Sequence, residues 1–133
     1  MSNDPKLNGQ NGWSGKFDLE ERTAKFGEEV IILCRDLPKD DVTRPIINQL
    51  VKCGTAVGAN YCEADDAESK YDFRHKIGIC KKESREVKHF IRMMVGAVPS
   101  ARNQARPIWQ EAKELNLIFN TIFRRLSSKI ERN

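Results

Sequence analysis

Four basic residues in the second half of the chain could together bind phosphate groups. Lys81, Arg85, Lys88 and Arg92 are separated by four, three and four positions, so in a helix they line one side. No acidic residue stands three or four positions from any of them, so the helix itself does not neutralise their charge. At 1.5 Å per residue the series extends for about 16 Å, which is long enough to follow a nucleic-acid backbone through phosphate contacts. We call these residues the basic stripe.

A second group of cations, the C-terminal cluster, closes the chain. It consists of Arg124, Arg125, Lys129 and Arg132. Cations are favoured at the C-terminal end of a helix by its macrodipole, so this cluster also has a purely structural explanation. For the basic stripe the corresponding alternative is salt bridging to carboxylates near the start of the chain. These are Glu20, Glu21, Glu28 and Glu29.

Two carboxylate–histidine pairs raise the question of metal chemistry. Asp72 with His75, and Glu86 with His89, have the spacing of the ligand unit in carboxylate-bridged metal sites of helical bundles. Such sites need pairs from different helices, whereas both pairs here fall in one predicted helix, with the histidines on its outer side. No glycine-rich phosphate loop and no nucleophile–base arrangement can be traced. The sequence therefore predicts no metal, no cofactor and no catalytic residue, and hence no enzyme.

The cysteines and the N-terminal residues bear on localisation. Cys34, Cys53, Cys62 and Cys80 include no Cys-x-x-Cys pair, so we expect reduced thiols. Cys53 and Cys80 fall in apolar series, where a thiol packs as a small hydrophobe. Residues 1–15 lack a hydrophobic signal segment, and no apolar run approaches membrane-spanning length. We predict a cytoplasmic protein with no membrane partner.

The charge of the chain is unevenly distributed. The net charge is +4, but the first 67 residues carry eight Lys/Arg against twelve Asp/Glu, and the remainder carries fifteen against seven. This asymmetry favours an acidic partner for the second half, although exposed helix faces commonly carry Lys and Arg as well.

The elements that must position these residues are predicted to be helices. Beside the basic stripe an apolar series repeats at alternating four- and three-residue steps, typical of a helix packed against other helices. Its members are Phe73, Ile77, Cys80, Ser84, Val87, Ile91, Met94 and Val98. This third helix is expected to begin between Asp66 and Ser69 and to end before Pro99, because residues preceding proline disfavour helical backbone.

Three further helices share this pattern. The first is predicted from Asp18, as N-cap, to Arg35. The second follows Thr43, its expected cap, with Pro45 in the first turn. The fourth begins between Ser100 and Pro107 and continues to about residue 130. Short connections make antiparallel neighbours, so the prediction is an all-α, up-down-up-down four-helix bundle over residues 16–133, preceded by a flexible tail at 1–15.

Small and polar residues of the second helix call for partners. Gly54 and Gly58 each cost roughly 1 kcal/mol relative to alanine in a helix, which predicts close approach of another helix, from this chain or from a neighbouring subunit. Asn60 occupies a position in the apolar series of this second helix, and a polar residue there needs hydrogen bonds. The members of that series are Ile46, Leu50, Cys53, Val57, Asn60 and Ala64. We interpret Asn60 as part of a buried structural network that fixes helix register. The network comprises Asn60, Glu63, Glu83 and Glu86.

An ordered set of motifs between Gln49 and Met94 gives the chain a family resemblance. The motifs are Gln49-Leu50, the small-residue run to Ala59-Asn60, Glu63, the Asp72-Phe73 pair and Lys82-Glu83-x-x-Glu86. With the matching lengths of the first and fourth helices, the chain resembles the bacterial four-helix-bundle family of 23S rRNA intervening-sequence proteins, also called S23 ribosomal proteins. The resemblance covers about residues 17–130.

The resemblance implies properties that the residues themselves do not. It implies a left-handed bundle that assembles as a ring-like homopentamer with a central channel. It also implies a relation to the accessory variability protein of diversity-generating retroelements, which is pentameric, binds nucleic acid and partners a reverse transcriptase. We therefore expect a non-enzymatic, oligomeric protein that binds RNA or DNA through basic helix faces, with RNA favoured over DNA. The alternative is a scaffold pentamer that docks a protein partner such as a reverse transcriptase.

Overall fold

Four α-helices in antiparallel order make up the computed structural model, which describes residues 14–132 and side chains from 19 to 131. They are α1 (Ser14–Asp36), α2 (Thr43–Asp65), α3 (Lys70–Ala97) and α4 (Arg102–Arg132). A single 3-10 turn at Pro99–Ala101 joins α3 to α4. The described residues contain no strand, which confirms the predicted all-α class. Most of the predicted tail at 1–15 lies outside the described residues, and its last two residues begin α1.

The order of packing follows the order of the chain. Neighbours in sequence pack against each other, and α1 completes the bundle by touching α4. Across the described residues the backbones of α1 and α3 do not approach each other, so these two helices lie on a diagonal of the bundle. None of these helices is long and apolar enough to span a membrane.

The core confirms the apolar series predicted for α3. Ile77, Cys80, Ser84, Val87, Ile91 and Met94 are all buried. Phe73 and Val98, at the two ends of the series, are partly buried and pack against the core. The hydroxyl of Ser84 is satisfied inside the bundle, since it donates to the Cys80 carbonyl at 2.9 Å.

Helix starts follow capping chemistry, with two corrections. Asp18, the predicted N-cap of the first helix, lies inside α1, which begins at Ser14. Ser69 is the N-cap of α3, at the end of the range predicted for its start, because its Oγ accepts from the Asp72 N–H at 3.0 Å. Thr43 does not cap α2 but is its first helical residue. Asp40 supplies the cap instead: its Oδ1 accepts from the N–H groups of Val42 and Thr43, both at 2.9 Å. The Thr43 hydroxyl in return accepts from the Asp40 N–H at 2.9 Å, a reciprocal arrangement of the capping-box kind. These backbone bonds lower the pKa of Asp40.

The glycines of α2 confirm the predicted close approach and show that the partner helix is α1 of the same chain. A Cβ placed on Gly54 would lie 2.8 Å from Val30 Cγ1, and one on Gly58 would lie 3.3 Å from the Thr23 carbonyl oxygen. Gly27 of α1 lies equally close to α2, since its Cβ would stand 3.4 Å from the Gly54 oxygen. Small residues on both helices therefore let the two backbones come together.

Candidate nucleic-acid interface

The basic stripe lies beside α4 on the surface of α3. Lys81 and Lys88 contact rings of α4, and Arg92 shares a cleft with it, whereas Arg85 lies further round the helix, in a groove with Gln49 of α2. Lys81 and Lys88 are half-buried at the boundary with α4, whereas Arg85 and Arg92 are exposed. The neighbouring apolar series points into the core, so packing of α3 fixes the direction in which the stripe projects. The four cations are therefore held along one edge of the bundle rather than spread around it.

Aromatic rings of α4, not carboxylates, contact the two half-buried lysines. Lys81 Nζ lies 4.9 Å from the centroid of the Phe123 ring, and Lys88 Nζ lies 5.8 Å from that of Trp109. A ring attracts a cation through its quadrupole but leaves its charge in place. Arg74 also lies over Phe123, at 5.4 Å.

No member of the basic stripe forms an ion pair within the described part of the chain. The ion pairs found there join Arg22 to Glu111 and Glu114, Arg44 to Asp41, and Lys76 to Glu63. The alternative interpretation, in which carboxylates of α1 neutralise the stripe, is not what the structure shows, because α1 lies diagonally opposite α3. The stripe thus presents cations that form no ion pair in the described residues, with Glu86 as the carboxylate that shares a groove with Arg85.

An open cleft between α3 and α4 continues the stripe at one end. The cleft has a volume of about 650 Å³. Its apolar wall is formed by Ile91, Val95, Ala105 and Trp109. Its charged lining is formed by Arg92, which also belongs to the stripe, and by Arg102 and Arg106 at the start of α4. We call it the Trp109 cleft.

The C-terminal cluster lies at the other end of α4. Arg124, Arg125 and Lys129 are exposed, and the last two line a shallow groove with Ile122 and Leu126. The side chain of Arg132 lies outside the described residues. Trp109 and Arg125 are separated by about 24 Å along the helix, so the structure does not bring this cluster to the cleft. The stripe spans the interval, since Lys81 touches Phe123 and Lys88 touches Trp109.

The four polar residues predicted to form a buried network do not form one. Asn60 is half-buried and donates to the Ala56 carbonyl of its own helix at 2.9 Å. Glu63 is exposed at 58% of its side chain and pairs with Lys76 at 2.5 Å. The physical reason is a one-residue difference in register, because Tyr61 and not Asn60 occupies the buried position of α2.

Glu83 and Glu86 lie together, apart from Asn60 and Glu63, at the boundary between α2 and α3. Both are half-buried. Partial burial, and then the adjacent Glu86 carboxylate, raise the pKa of Glu83, while Lys82 and Lys52 oppose the rise. Glu86 lines a surface groove with Gln49, Arg85 and His89, so it does not belong to the core.

A part-buried polar contact that joins α4 to α3 was not predicted. Asn116 of α4 donates from Nδ2 to the Lys81 carbonyl at 2.7 Å and approaches Ser84 Oγ at 3.4 Å. It thereby fixes the register of α4 against the helix that carries the stripe. Sequence reasoning also missed Arg102, Arg106 and Trp109, although the four-residue spacing of the two arginines was a visible signal.

The thiols and histidines of the described residues are dispersed. No group of three or more His, Cys, Asp or Glu side chains there could hold a metal ion. Burial raises the pKa of Cys34 to about 11 and those of Cys53 and Cys80 to about 12, so all three are protonated at neutral pH. Cys62 is exposed and free.

Fold and surface together define a class: small α-helical bundle proteins with an uncompensated basic edge. The family model of the 23S rRNA-intervening sequence proteins matches residues 16–121, and the chain belongs to this family. A crystal structure of a protein of unknown function from the S23 ribosomal protein family of Bacteroides thetaiotaomicron is similar, with a TM-score of 0.74 and 24% identity. The match covers 82% of this chain and 97% of that one, and it supports the fold. No curated protein matches the chain.

Proposed function

We propose that this protein binds RNA through the edge formed by α3 and α4, without catalysing a reaction. The observation that carries the proposal is the basic stripe: four cations along one edge, none of them paired with a carboxylate in the described residues. Recognition through phosphates is sequence-independent and strongly salt-dependent. The family's description as 23S rRNA-intervening sequence proteins supports RNA over DNA.

The absence of a catalytic role is part of the proposal. Its support is the state of the thiols, which are the strongest nucleophiles in the chain: three are buried with raised pKa values, and the thiolate is the reactive form. The unpaired thiols also support a cytoplasmic location, where cysteines stay reduced.

Assembly into a homopentameric ring is proposed from the family resemblance. Large apolar side chains at the surface, such as Ile32 and Leu117, exposed at 54% and 56%, offer contacts between copies. Light scattering coupled to size exclusion tests it: the expected mass is five times the 15.3 kDa of one chain, and a mass of one or two chains contradicts the ring.

The test of RNA binding is a filter-binding titration at two salt concentrations. If all four stripe residues contact phosphates of a single strand, the logarithm of the affinity falls with a slope of about −3 against log salt, which is roughly a 50-fold loss for a fourfold increase in salt. Reversal of the stripe to Glu at all four positions should abolish retention while helical circular dichroism persists.

A matched variant controls for net charge. It reverses four exposed cations of α1 and α2, away from the stripe, to Glu: Lys25, Arg35, Arg44 and Lys52. Both variants change the net charge equally, so the proposal requires that only the stripe variant loses RNA. Equal loss in both contradicts a localised site. No salt-sensitive binding by the unaltered protein, together with co-purification of a reverse transcriptase, favours the scaffold alternative.

A further inference from the structure

The Trp109 cleft has a composition that phosphate contacts alone do not explain. A surface that only follows a sugar–phosphate backbone needs cations, whereas this cleft has an apolar wall of Ile91, Val95 and Ala105 beside its arginines. Its volume, about 650 Å³, lies within the range of pockets that enclose small organic groups. The ligand it fits therefore has a flat apolar part and negative charge next to it.

The charge of the cleft is uncompensated for a specific structural reason. Arg22 of α1 binds Glu111 with its Nε at 2.6 Å and binds Glu114 with Nη2 at 2.9 Å. These two carboxylates are the acidic residues of α4 nearest to the cleft, and both are held on the side of α1. No acidic residue lines the cleft, and neither Arg102 nor Arg106 has one at three or four positions in sequence.

Trp109 offers a stacking surface at the point where the stripe enters the cleft. The indole is half-buried, and the ammonium groups of Lys88 and Lys113 each lie 5.8 Å from its centroid. Every nucleobase has an aromatic face that stacks on such a ring, and phosphates next to the base would meet the flanking cations.

We infer that the cleft seats an unpaired nucleobase of a single strand against Trp109, with the neighbouring phosphates on Arg92, Arg102 and Arg106. This inference rests on the proposed RNA binding and adds strandedness to it. In a duplex the bases are stacked on each other and cannot enter the cleft, so a duplex engages only the stripe. An acidic amphipathic peptide shares part of the required chemistry, but the continuity of the cleft with the stripe through Arg92 favours a polynucleotide.

Fluorescence of Trp109 tests the inference directly. The chain has two tryptophans, so the full-length Trp13→Phe variant leaves Trp109 as the single reporter. The probes are a single-stranded oligouridylate of about 12 nucleotides, a length within the site sizes known for single-strand binders, an abasic strand of the same length, and an RNA duplex. The expected result is quenching by the oligouridylate and none by the abasic strand or the duplex.

Two variants measure the contribution of the cleft. Trp109→Leu keeps apolar bulk but removes the stacking surface, and it should weaken oligouridylate binding about 5-fold to 150-fold while duplex binding stays unchanged. The double variant Arg102→Gln, Arg106→Gln changes only exposed side chains, so it should fold normally, and it should lower the salt slope for the single strand by about 1.4.

The outcomes separate this inference from the proposed function. If single strand and duplex bind alike, and both variants bind as the parent does, the cleft is not a base site, although the stripe still binds RNA. If an acidic peptide quenches Trp109 and the oligouridylate does not, the cleft is a protein-docking site and the inference is overturned. If no probe binds even at low salt, the proposed function itself fails.

Discussion

The contact between α1 and α2 gives a sharp test of the packing at Gly54. In Gly54→Ala the new Cβ would lie 2.8 Å from Val30 Cγ1 and 2.9 Å from Cγ2, whereas carbon atoms pack favourably at about 3.5–4.0 Å. Val30 is fully buried, and a β-branched side chain in a helix has one strongly preferred rotamer. Val30 therefore cannot turn away, and the helices must separate.

The size of the effect follows from two opposing terms. Alanine stabilises a helix by about 1 kcal/mol relative to glycine, and overpacking a core typically costs 1–3 kcal/mol. We expect Gly54→Ala to lower the free energy of unfolding by about 1–2 kcal/mol. Gly96→Ala is the matched control, because nothing lies within 4 Å of its Cβ position, and it should raise that free energy by about 0.5–1 kcal/mol.

Guanidinium denaturation followed by helical circular dichroism measures both variants. The double variant Val30→Ala, Gly54→Ala should be more stable than the sum of the single effects predicts, by about 0.5–3 kcal/mol, because the two closest contacts, with Cγ1 and Cγ2 of Val30, are gone and only the contact with Cβ at 3.0 Å is left. If Gly54→Ala stabilises the protein as much as Gly96→Ala does, the two helices are not in close contact there and the argument is refuted.

Two further predictions concern α3 and its partner α4. Burial raises the pKa of the Cys80 thiol from about 9 to about 12, so the free energy of unfolding should fall as the pH rises above 9. Cys80→Ala should reduce this loss between about pH 8 and about pH 10.5 by roughly 2 kcal/mol in denaturation curves. An unchanged loss contradicts burial of this thiol. Asn116→Asp replaces the amide that donates to the Lys81 carbonyl with a carboxylate, which cannot donate. The melting temperature should therefore fall at about pH 7, by the equivalent of about 1–3 kcal/mol, and recover partly below about pH 4, where the protonated carboxyl donates again. Asn120→Asp, one turn along α4, is the control.

The sequence predicted α3 well because its apolar residues and its charged residues have the same period. Over 28 residues the alternating spacing leaves a single register for the buried side, and the stripe follows from it. In α2 the signal was weaker, because small residues stand on both sides of Tyr61 and Asn60 and either could face the core. In the structure Tyr61 faces the core, because it makes the larger apolar contact: the centroid of its ring lies 6.1 Å from that of Phe119.

The Trp109 cleft could not be predicted because it depends on how two helices are aligned. Its arginines come from the first turns of α4, and the sequence placed that start only between Ser100 and Pro107. The position of Trp109 opposite Lys88 depends on the register between α3 and α4, which Asn116 helps to fix. A pattern within one helix carries no information about that register.

The topology of the bundle explains how a chain of modest net charge presents a strongly basic edge. Close packing of α1 on α2 through Gly54 and Gly58 places the acidic helix α1 on the diagonal from α3, out of reach of the stripe. Arg22 of α1 binds Glu111 and Glu114 of α4, so these two carboxylates are not available to neutralise the cations of α4. The diagonal position of α1 and the ion pairs of Arg22 both keep carboxylates away from the basic edge. A field of one sign along one edge raises the local concentration and the association rate of a polyanion.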